Sequence, residues 1–408
     1  MANNQAIMPI VEKPFRGLYV ALFAVFILFG MSMTIIGATL PRILEDFGWS
    51  YVGAGSVIAA GAIGYFLATF IAGLLVARIG AQATILSGLV LVVAGLMFFA
   101  KTSSLPVNLL LNLAIGIGQG FLELTINYAT LRMDKKGSGR AMNLMHGAFA
   151  VGAVAGPFVI GILLGAALPW TLVYRGIAGM FVLVAVAVAL LPFGIIKEEK
   201  TETKDKKKVS LLGHPAYWLG FACLLLYVGV ELGISNWIAE YFVTVFGLAP
   251  ARGSFMVSLF WGGLLLGRIG VPIVYKGNRS DVLLIAMALL MSSTVIALTI
   301  VGFLGGGTLL ITIASVFVVL AGLGCSIIYP VVVTFVGAAF PNAQSEAIGF
   351  SAMGGGIGAF VFPFIMSNIA GAFGIRIGFA TYAFFSIVTV VSCMMLIRVV
   401  RAKKGEIA

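Results

Sequence analysis

The sequence predicts an all-α membrane protein in which twelve transmembrane helices form two pseudo-symmetric six-helix bundles. Three observations support this prediction: the composition, the spacing of the apolar stretches and an internal repeat. The chain has 408 residues, of which 61% are hydrophobic and 10% are charged. A soluble protein of this length could not bury so much apolar surface, so most of the chain must face lipid.

Apolar windows, interrupted by Pro, Gly and charged residues, divide the chain into twelve candidate spans. Each is long enough to cross about 30 Å of hydrocarbon as a helix. The hydrophilic stretch 197–210 is predicted to be a solvated linker between the sixth and seventh spans. We therefore expect an N-terminal bundle over 1–196, a cytoplasmic linker over 197–214 and a C-terminal bundle over 215–408. The spans are 17–41, 53–77, 82–100, 106–131, 141–166, 171–196, 215–243, 253–275, 281–304, 307–337, 346–370 and 376–399.

Basic residues indicate which side of the membrane each loop faces. The loops and tails on the side of the termini hold twenty Lys and Arg, and the opposite side holds five. By the positive-inside rule, this asymmetry predicts cytoplasmic termini. The net charge of +11 therefore sets topology, and we expect no nucleic-acid partner. We expect a multi-pass, monomeric protein in contact with membrane lipids, in the cell membrane (the inner membrane of a bacterium).

The two halves of the chain resemble each other. The segment GLLVARIG at 73–80 recurs as GLLLGRIG at 263–270, with six of eight residues identical. GAVAGPF at 152–158 similarly matches GAFVFPF at 358–364, an offset of 206 that also places Gly116 and Gly118 on Gly322 and Gly324. Ordered matches in three pairs of spans indicate an internal duplication. Duplicated bundles of this kind form transporters with a substrate site between the halves, near the middle of the membrane.

These features resemble the major facilitator superfamily over essentially the whole chain. Within it, three local patterns resemble the fucose/galactose/glucose–proton symporters and their sodium–glucose relatives. The patterns are E-x-x-x-N at Glu123 and Asn127, A-M-N-L-x-H-G-x-F-x-x-G at 141–152, and Y-x-G-x-E-x-x-x-x-x-W at 227–237. The resemblance implies transport of a small solute, with the two bundles moving around a central site.

Some charged positions of the family are absent. The superfamily loop after span 2 reads G-x-x-x-D-R-x-G-R, but Ala77 and Ala81 replace its Asp and last Arg, and Gly267 stands at the corresponding Asp position of the second half. Gly37 occupies the place of the span 1 acid of the bacterial fucose transporters. The resemblance therefore supplies neither the usual cytoplasmic charge network nor a two-acid relay, and a uniporter stays open.

Span 4 carries a polar stripe. Asn112, Gln119, Glu123 and Asn127 are spaced by 7, 4 and 4 residues, which places them within about 80° of one another on a helix. An acid inside the membrane is costly and is by default a functional hypothesis. We expect Glu123 to be the coupling group, with Gln119 and Asn127 contacting solute. The alternative is a hydrogen-bond network that joins helices, which is as good an interpretation for Asn112.

Span 5 begins with Asn143 and His146 on one face, and we expect both to contact solute. For His146, a neutral packing role and a proton relay are the alternatives. The GAVAGP segment at 152–157 has the G-x-x-x-G-P form also seen in proton/drug antiporters. Close helix packing with a proline kink is the interpretation that we favour for it.

Span 7 carries Tyr227 and Glu231 on one stripe, followed by Trp237, and all three are candidate solute contacts. Glu240 lies half a turn away from Glu231 and near the extracellular end, where a hydrated rim charge is expected. Trp261, in the middle of span 8, is a further candidate, because sugars present C–H faces that stack on aromatic rings.

The sequence therefore predicts a secondary transporter of a small polar solute, a hexose or related sugar, coupled to H⁺ or Na⁺. Proton binding at Glu123 and sugar binding would then be linked. A proton/drug antiporter is the alternative, because 31 Phe and 16 Met would suit a permissive pocket. A membrane sensor without transport is a third hypothesis, and the short loops count against it. No metal site, cofactor or enzymatic activity is predicted, since no metal cluster, nucleophile–base pair or phosphate loop is visible.

Overall fold

The computed structural model describes residues 11–134, 140–191, 193, 211–277 and 279–405. The predicted linker at 197–210 lies outside the described residues, so the bundle boundaries stay a prediction. A short 3-10 turn at Lys13–Phe15 precedes the helices. The helices are α1 (Arg16–Phe47), α2 (Tyr51–Phe98), α3 (Leu105–Met133), α4 (Arg140–Gly165), α5 (Thr171–Leu190), α6 (Pro215–Phe246), α7 (Pro250–Val274), α8 (Ser280–Leu304), α9 (Thr308–Cys325), α10 (Ile328–Ala339), α11 (Gln344–Phe373) and α12 (Ile375–Gly405).

Helix α2 crosses the membrane twice. Its 48 residues would extend roughly 70 Å as one straight helix, more than twice the thickness of the hydrocarbon. Gly80 interrupts it with φ 82° and ψ 165°, a conformation that glycine adopts readily. Gly61 and Gly88, on opposite sides of this break, pack on Gly116 and Gly118 of α3. The chain therefore reverses at Gly80, and the two predicted spans 53–77 and 82–100 are confirmed as separate crossings.

Predicted span 10, in contrast, is a single crossing made of two helices. Helices α9 and α10 are separated only by Ser326 and Ile327, and together they form one apolar crossing over Thr308–Ala339. Within the described residues, eleven helices are long and apolar enough to span a membrane. Because α2 crosses twice, they account for the twelve predicted crossings.

The packing of the two halves repeats as the sequence predicts. A Cβ at Gly116 would overlap the carbonyl of Gly61 in α2, and one at Gly322 would overlap the carbonyl of Phe260 in α7. The α4 glycine Gly152 packs in the same way on Ile27 of α1, and Gly358 of α11 packs on Leu225 of α6. The first glycine of the GAVAGP segment is therefore a close-packing residue, as favoured from the sequence.

The two bundles meet at the ends of the helices that lie away from the start of α1. The hydroxyl of Ser254 in α7 donates to the carbonyl of Ala38 in α1 at 2.6 Å. Ser258 of α7 donates to the carbonyl of Val154 in α4 at 2.8 Å. We call this the closed side, and the opposite side, where α1 begins, the open side.

Candidate solute cavity

A cavity of about 1630 Å³ lies between the two bundles. Its wall includes residues 23–36, in the middle of α1, and 349–359, in the first half of α11. Asn143 and His146, near the start of α4, line it and are exposed. The cavity is therefore accessible from the side on which α1 begins. Its charged and amide side chains are Asn112, Gln119, Glu123, Asn127, Asn143, His146, Glu231, Asn236 and Arg268.

The polar stripe of α3 faces this cavity, as its spacing predicts. Glu123 accepts a hydrogen bond from the hydroxyl of Tyr65 in α2. One turn further on, the side-chain oxygen of Asn127 is buried and has no hydrogen-bond partner in the described part of the chain. These two residues therefore present polar atoms at the wall of the cavity.

The other two members of the stripe also bind neighbouring helices. Asn112 donates to the carbonyl of Val57 in α2 at 2.7 Å. Gln119 donates to Ser32 Oγ of α1 at 3.0 Å. Both residues therefore join helices. For Asn112, this agrees with the helix-joining network that the sequence left open as an alternative.

The C-terminal bundle supplies an acid, a base and an aromatic ring. Glu231 of α6 is 7% exposed and lines the cavity. Arg268 of α7 lines it as well and interacts electrostatically with Glu231. The indole nitrogen of Trp261 donates to Ser235 Oγ at 2.8 Å, which fixes this ring in the wall.

Comparison with known proteins agrees with this architecture. A sequence model described as Major Facilitator Superfamily matches residues 22–315, more than half of the chain. The chain belongs to the Major Facilitator Superfamily. It is an integral, multi-pass membrane transporter of small molecules and not an enzyme.

Individual relatives of this superfamily member are distant. The chain is 24% identical to a yeast protein named bypass of stop codon protein 6, over 88% of this chain and 78% of that protein. It is also 24% identical to a glucose/galactose transporter of Brucella abortus, over 63% of this chain and 66% of that protein. Among solved structures, the nucleoside transporter NupG superposes with a TM-score of 0.73 at 15% identity, over 95% of this chain and 99% of that one.

Tyr227 and Trp237 are not part of the cavity wall, although the sequence predicts solute contacts for both. Tyr227 is fully buried, and its hydroxyl donates to the carbonyl of Cys325 at 2.9 Å. Trp237 is fully buried as well, and packs edge-to-face on Tyr51 with 5.8 Å between ring centroids. The stripe of α6 that faces the cavity instead carries Glu231 and Asn236, because close packing on other helices covers the face with the large rings.

The expectation of a hydrated rim position for Glu240 is wrong. Its side chain is 6% exposed, although it lies in the last two turns of α6. The carboxylate accepts hydrogen bonds from Tyr51 at 3.1 Å and from Thr244 at 2.6 Å. Tyr51, the first residue of α2 in the other bundle, contacts this end of α6, and no periodicity within one helix could show that.

Arg268 and Tyr65 are cavity residues that the sequence interpretation missed. Arg268 was counted among the basic residues that set topology, although it lies six residues before the end of α7. Its position inside the predicted span 253–275 could have indicated that it lies within the membrane and not in a loop. Tyr65 gave no signal, because a tyrosine in an apolar span is ordinary.

The structure also explains the glycine at position 37. A Cβ there would come within 2.5 Å of the carbonyl oxygen of Ser235 in α6. Helices α1 and α6 are too close at this point to hold any side chain. In this conformation, an acid of span 1 could not be accommodated at this position.

Proposed function

We propose that this protein is a secondary active transporter that carries a hexose or related sugar together with H⁺ or Na⁺. The main support is the cavity wall, in which polar side chains of both bundles converge on one space. The Brucella relative named as a glucose/galactose transporter supports the sugar class. Bundles that share a central site can expose it to each side of the membrane in turn.

The proposed sugar contacts are the polar groups that lie between the bundles. Asn127 Oδ1 and Ser326 Oγ are unpartnered in the described residues, and both side chains belong to the wall. Unpaired buried polar atoms are costly, so a bound hydroxyl would stabilise them. Gln119, Asn143 and His146 offer further hydrogen-bonding groups to a sugar ring.

Trp261 is the proposed aromatic contact. Its N–H is already bonded to Ser235, and its ring meets Phe149 of α4 edge-to-face with 5.8 Å between centroids. The ring is 3% exposed but belongs to the cavity wall, so its contact with the C–H face of a sugar would be apolar, since its N–H is already bonded.

Glu123 is the proposed coupling residue. The two cavity acids differ in one respect: both have a tyrosine hydroxyl nearby, but Arg268 interacts electrostatically with Glu231, and among the described residues no cation is shown to act on Glu123. A carboxylate inside the membrane without a cationic partner is costly. A bound H⁺ or Na⁺ would therefore stabilise Glu123 more than Glu231, and an ion gradient could drive transport through this residue.

The proposed orientation places both termini in the cytoplasm of a bacterial cell, with the protein in the inner membrane as a monomer. The loop charges support it, because twenty of the counted Lys and Arg lie on the side of the termini. The open side of the cavity then faces the cytoplasm, and the closed side faces outward.

Uptake into liposomes tests the proposal. Purified protein is reconstituted, and labelled glucose, galactose and fucose are offered with and without an imposed H⁺ or Na⁺ gradient, with protein-free liposomes as control. We expect accumulation above equilibrium with one of the gradients, and competition among the sugars. Equilibration without accumulation under either gradient would indicate a uniporter instead.

A proton/drug antiporter is the alternative, and the aromatic lining of the cavity favours it. Phe23, Phe26 and Phe29 of α1 all border the cavity, as do Phe66 and Phe149. Such side chains suit large apolar solutes. Competition by lipophilic cations, with no competition by any hexose, would establish this alternative and exclude the sugar symporter.

A further inference from the structure

The closed side of the molecule contains one side-chain to side-chain hydrogen bond between the bundles, within the described residues, that involves a carboxylate. Tyr51, the first residue of α2, donates from its hydroxyl to Glu240 Oε1 of α6 at 3.1 Å. The interbundle bonds of Ser254 and Ser258 go to backbone carbonyls instead. Hydrogen bonds to ionised groups are about twice as strong as those between neutral groups.

Burial of Glu240 depends on the closed side staying closed. In the described part of the chain its hydrogen-bond partners are Tyr51 and Thr244, with no ion pair to a basic group. Thr244 lies one turn away on the same helix and stays with Glu240 in any conformation. Tyr51 belongs to the other bundle, so its bond must break when the bundles separate here.

The closed side also contains a buried polar group that has no partner in the described part of the chain. Trp237 Nε1 is buried and unpartnered among the described residues, and the ring packs on Tyr51. An unpaired buried N–H and a buried carboxylate both disfavour the closed arrangement relative to a hydrated one. The hydrogen bond between Tyr51 and Glu240 offsets part of this cost.

We propose that the hydrogen bond between Tyr51 and Glu240 is a latch that keeps the gate on the closed side shut. In this latch, Glu240 holds the Tyr51 hydroxyl in position. The latch holds the two bundles together while the cavity is accessible from the open side. It is released when the bundles separate at α2 and α6. This role depends on movement of the bundles during transport and not on the identity of the solute.

Distance measurements on the purified full-length protein test the latch directly. Cysteines introduced at Lys101 and Ala249, which are exposed on the two bundles at the closed side, carry nitroxide labels. The three native cysteines are buried and should not react. Pulsed electron paramagnetic resonance then gives the ratio of separated to closed populations, without any added solute.

We expect Tyr51→Phe to raise that ratio by more than about fivefold, the factor for one ordinary hydrogen bond, because a bond to a carboxylate is stronger. Glu240→Ala should change it less than Tyr51→Phe, because it removes the cost of the buried carboxylate together with the hydrogen bond. The double variant Tyr51→Phe/Glu240→Ala should have a lower ratio than Tyr51→Phe alone, since the buried carboxylate that has lost its donor is then absent.

Tyr19→Phe is the matched control. Its hydroxyl donates to the carbonyl of Ala141 at 2.7 Å, a buried bond between α1 and α4 within the N-terminal bundle. We expect no change in the population ratio. If Tyr51→Phe leaves the ratio at its original value, or Tyr19→Phe changes it equally, the latch is refuted. Should Glu240→Ala fail to fold, Tyr51→Phe alone decides the question.

Discussion

The two bundles differ more in their chemistry than in their packing. In the first bundle, the cavity acid Glu123 is bonded to the hydroxyl of Tyr65. In the second, Glu231 lies in the field of a guanidinium, that of Arg268. The backbone contacts of Gly116 and Gly322, by contrast, are equivalent in the two halves.

The comparison shows that packing and cavity chemistry place different requirements on a duplicated fold. Close helix contacts demand glycine at corresponding places, so the packing signature repeats along the chain. Under the proposed ion-coupled mechanism, the cavity uses one acid that responds to a cation, and the second acid, which interacts with Arg268, has a different role. The predictions below test this comparison, starting with the largest expected effect.

The first prediction concerns Glu123, on which no basic residue is shown to act within the described residues. Glu123→Gln should abolish gradient-driven accumulation of solute, because the neutral amide cannot take up and release a coupling cation. Exchange of labelled for unlabelled solute across the liposome membrane should continue. Full accumulation by this variant would exclude Glu123 as the coupling residue.

The second prediction concerns the counter-charge. Arg268→Gln should weaken solute uptake about tenfold, equivalent to about 1.4 kcal/mol, because Glu231 loses its basic neighbour. Uptake kinetics in proteoliposomes measure the loss. Arg268→Lys should retain most activity, and adding Glu231→Gln to Arg268→Gln should recover part of it. A double variant no better than the single one would contradict the pairing.

The third prediction tests the shared packing. Gly116→Ala and Gly322→Ala should each destabilise the protein by about 1–3 kcal/mol, because the added methyl group overlaps a neighbouring carbonyl. Thermal unfolding in detergent measures this. Gly179→Ala is the control, since a Cβ there meets nothing within 4 Å. A stable Gly322→Ala variant would show that the repeat is less tightly packed in the second half.

The smallest expected effect is that of the Tyr65 hydroxyl. Tyr65→Phe should slow ion-coupled uptake about fivefold, corresponding to one hydrogen bond, because the Glu123 carboxylate loses the donor that orients it. Exchange in the absence of a gradient should change less. Equal reduction of both activities would assign Tyr65 to solute binding and not to coupling.

Much of the fold follows from local properties of the sequence. Apolar stretches of membrane-spanning length set the twelve crossings, and the glycine matches set the equivalence of the halves. The stripe on α3 is also local information, because a helix turns by 100° per residue and places Gln119, Glu123 and Asn127 on one face. The sequence alone therefore determined the architecture and one wall of the cavity.

Only the tertiary structure decided which face of α6 meets the cavity and what lies opposite each polar group. Periodicity gives the relative angle of Tyr227, Glu231 and Trp237, but neighbouring helices determine which of them are covered. Neighbouring helices likewise determine that Arg268 lines the cavity and that Glu240 is buried. Both outcomes depend on contacts between helices that are far apart in the chain. The residue pattern within a single helix carries no information about such contacts.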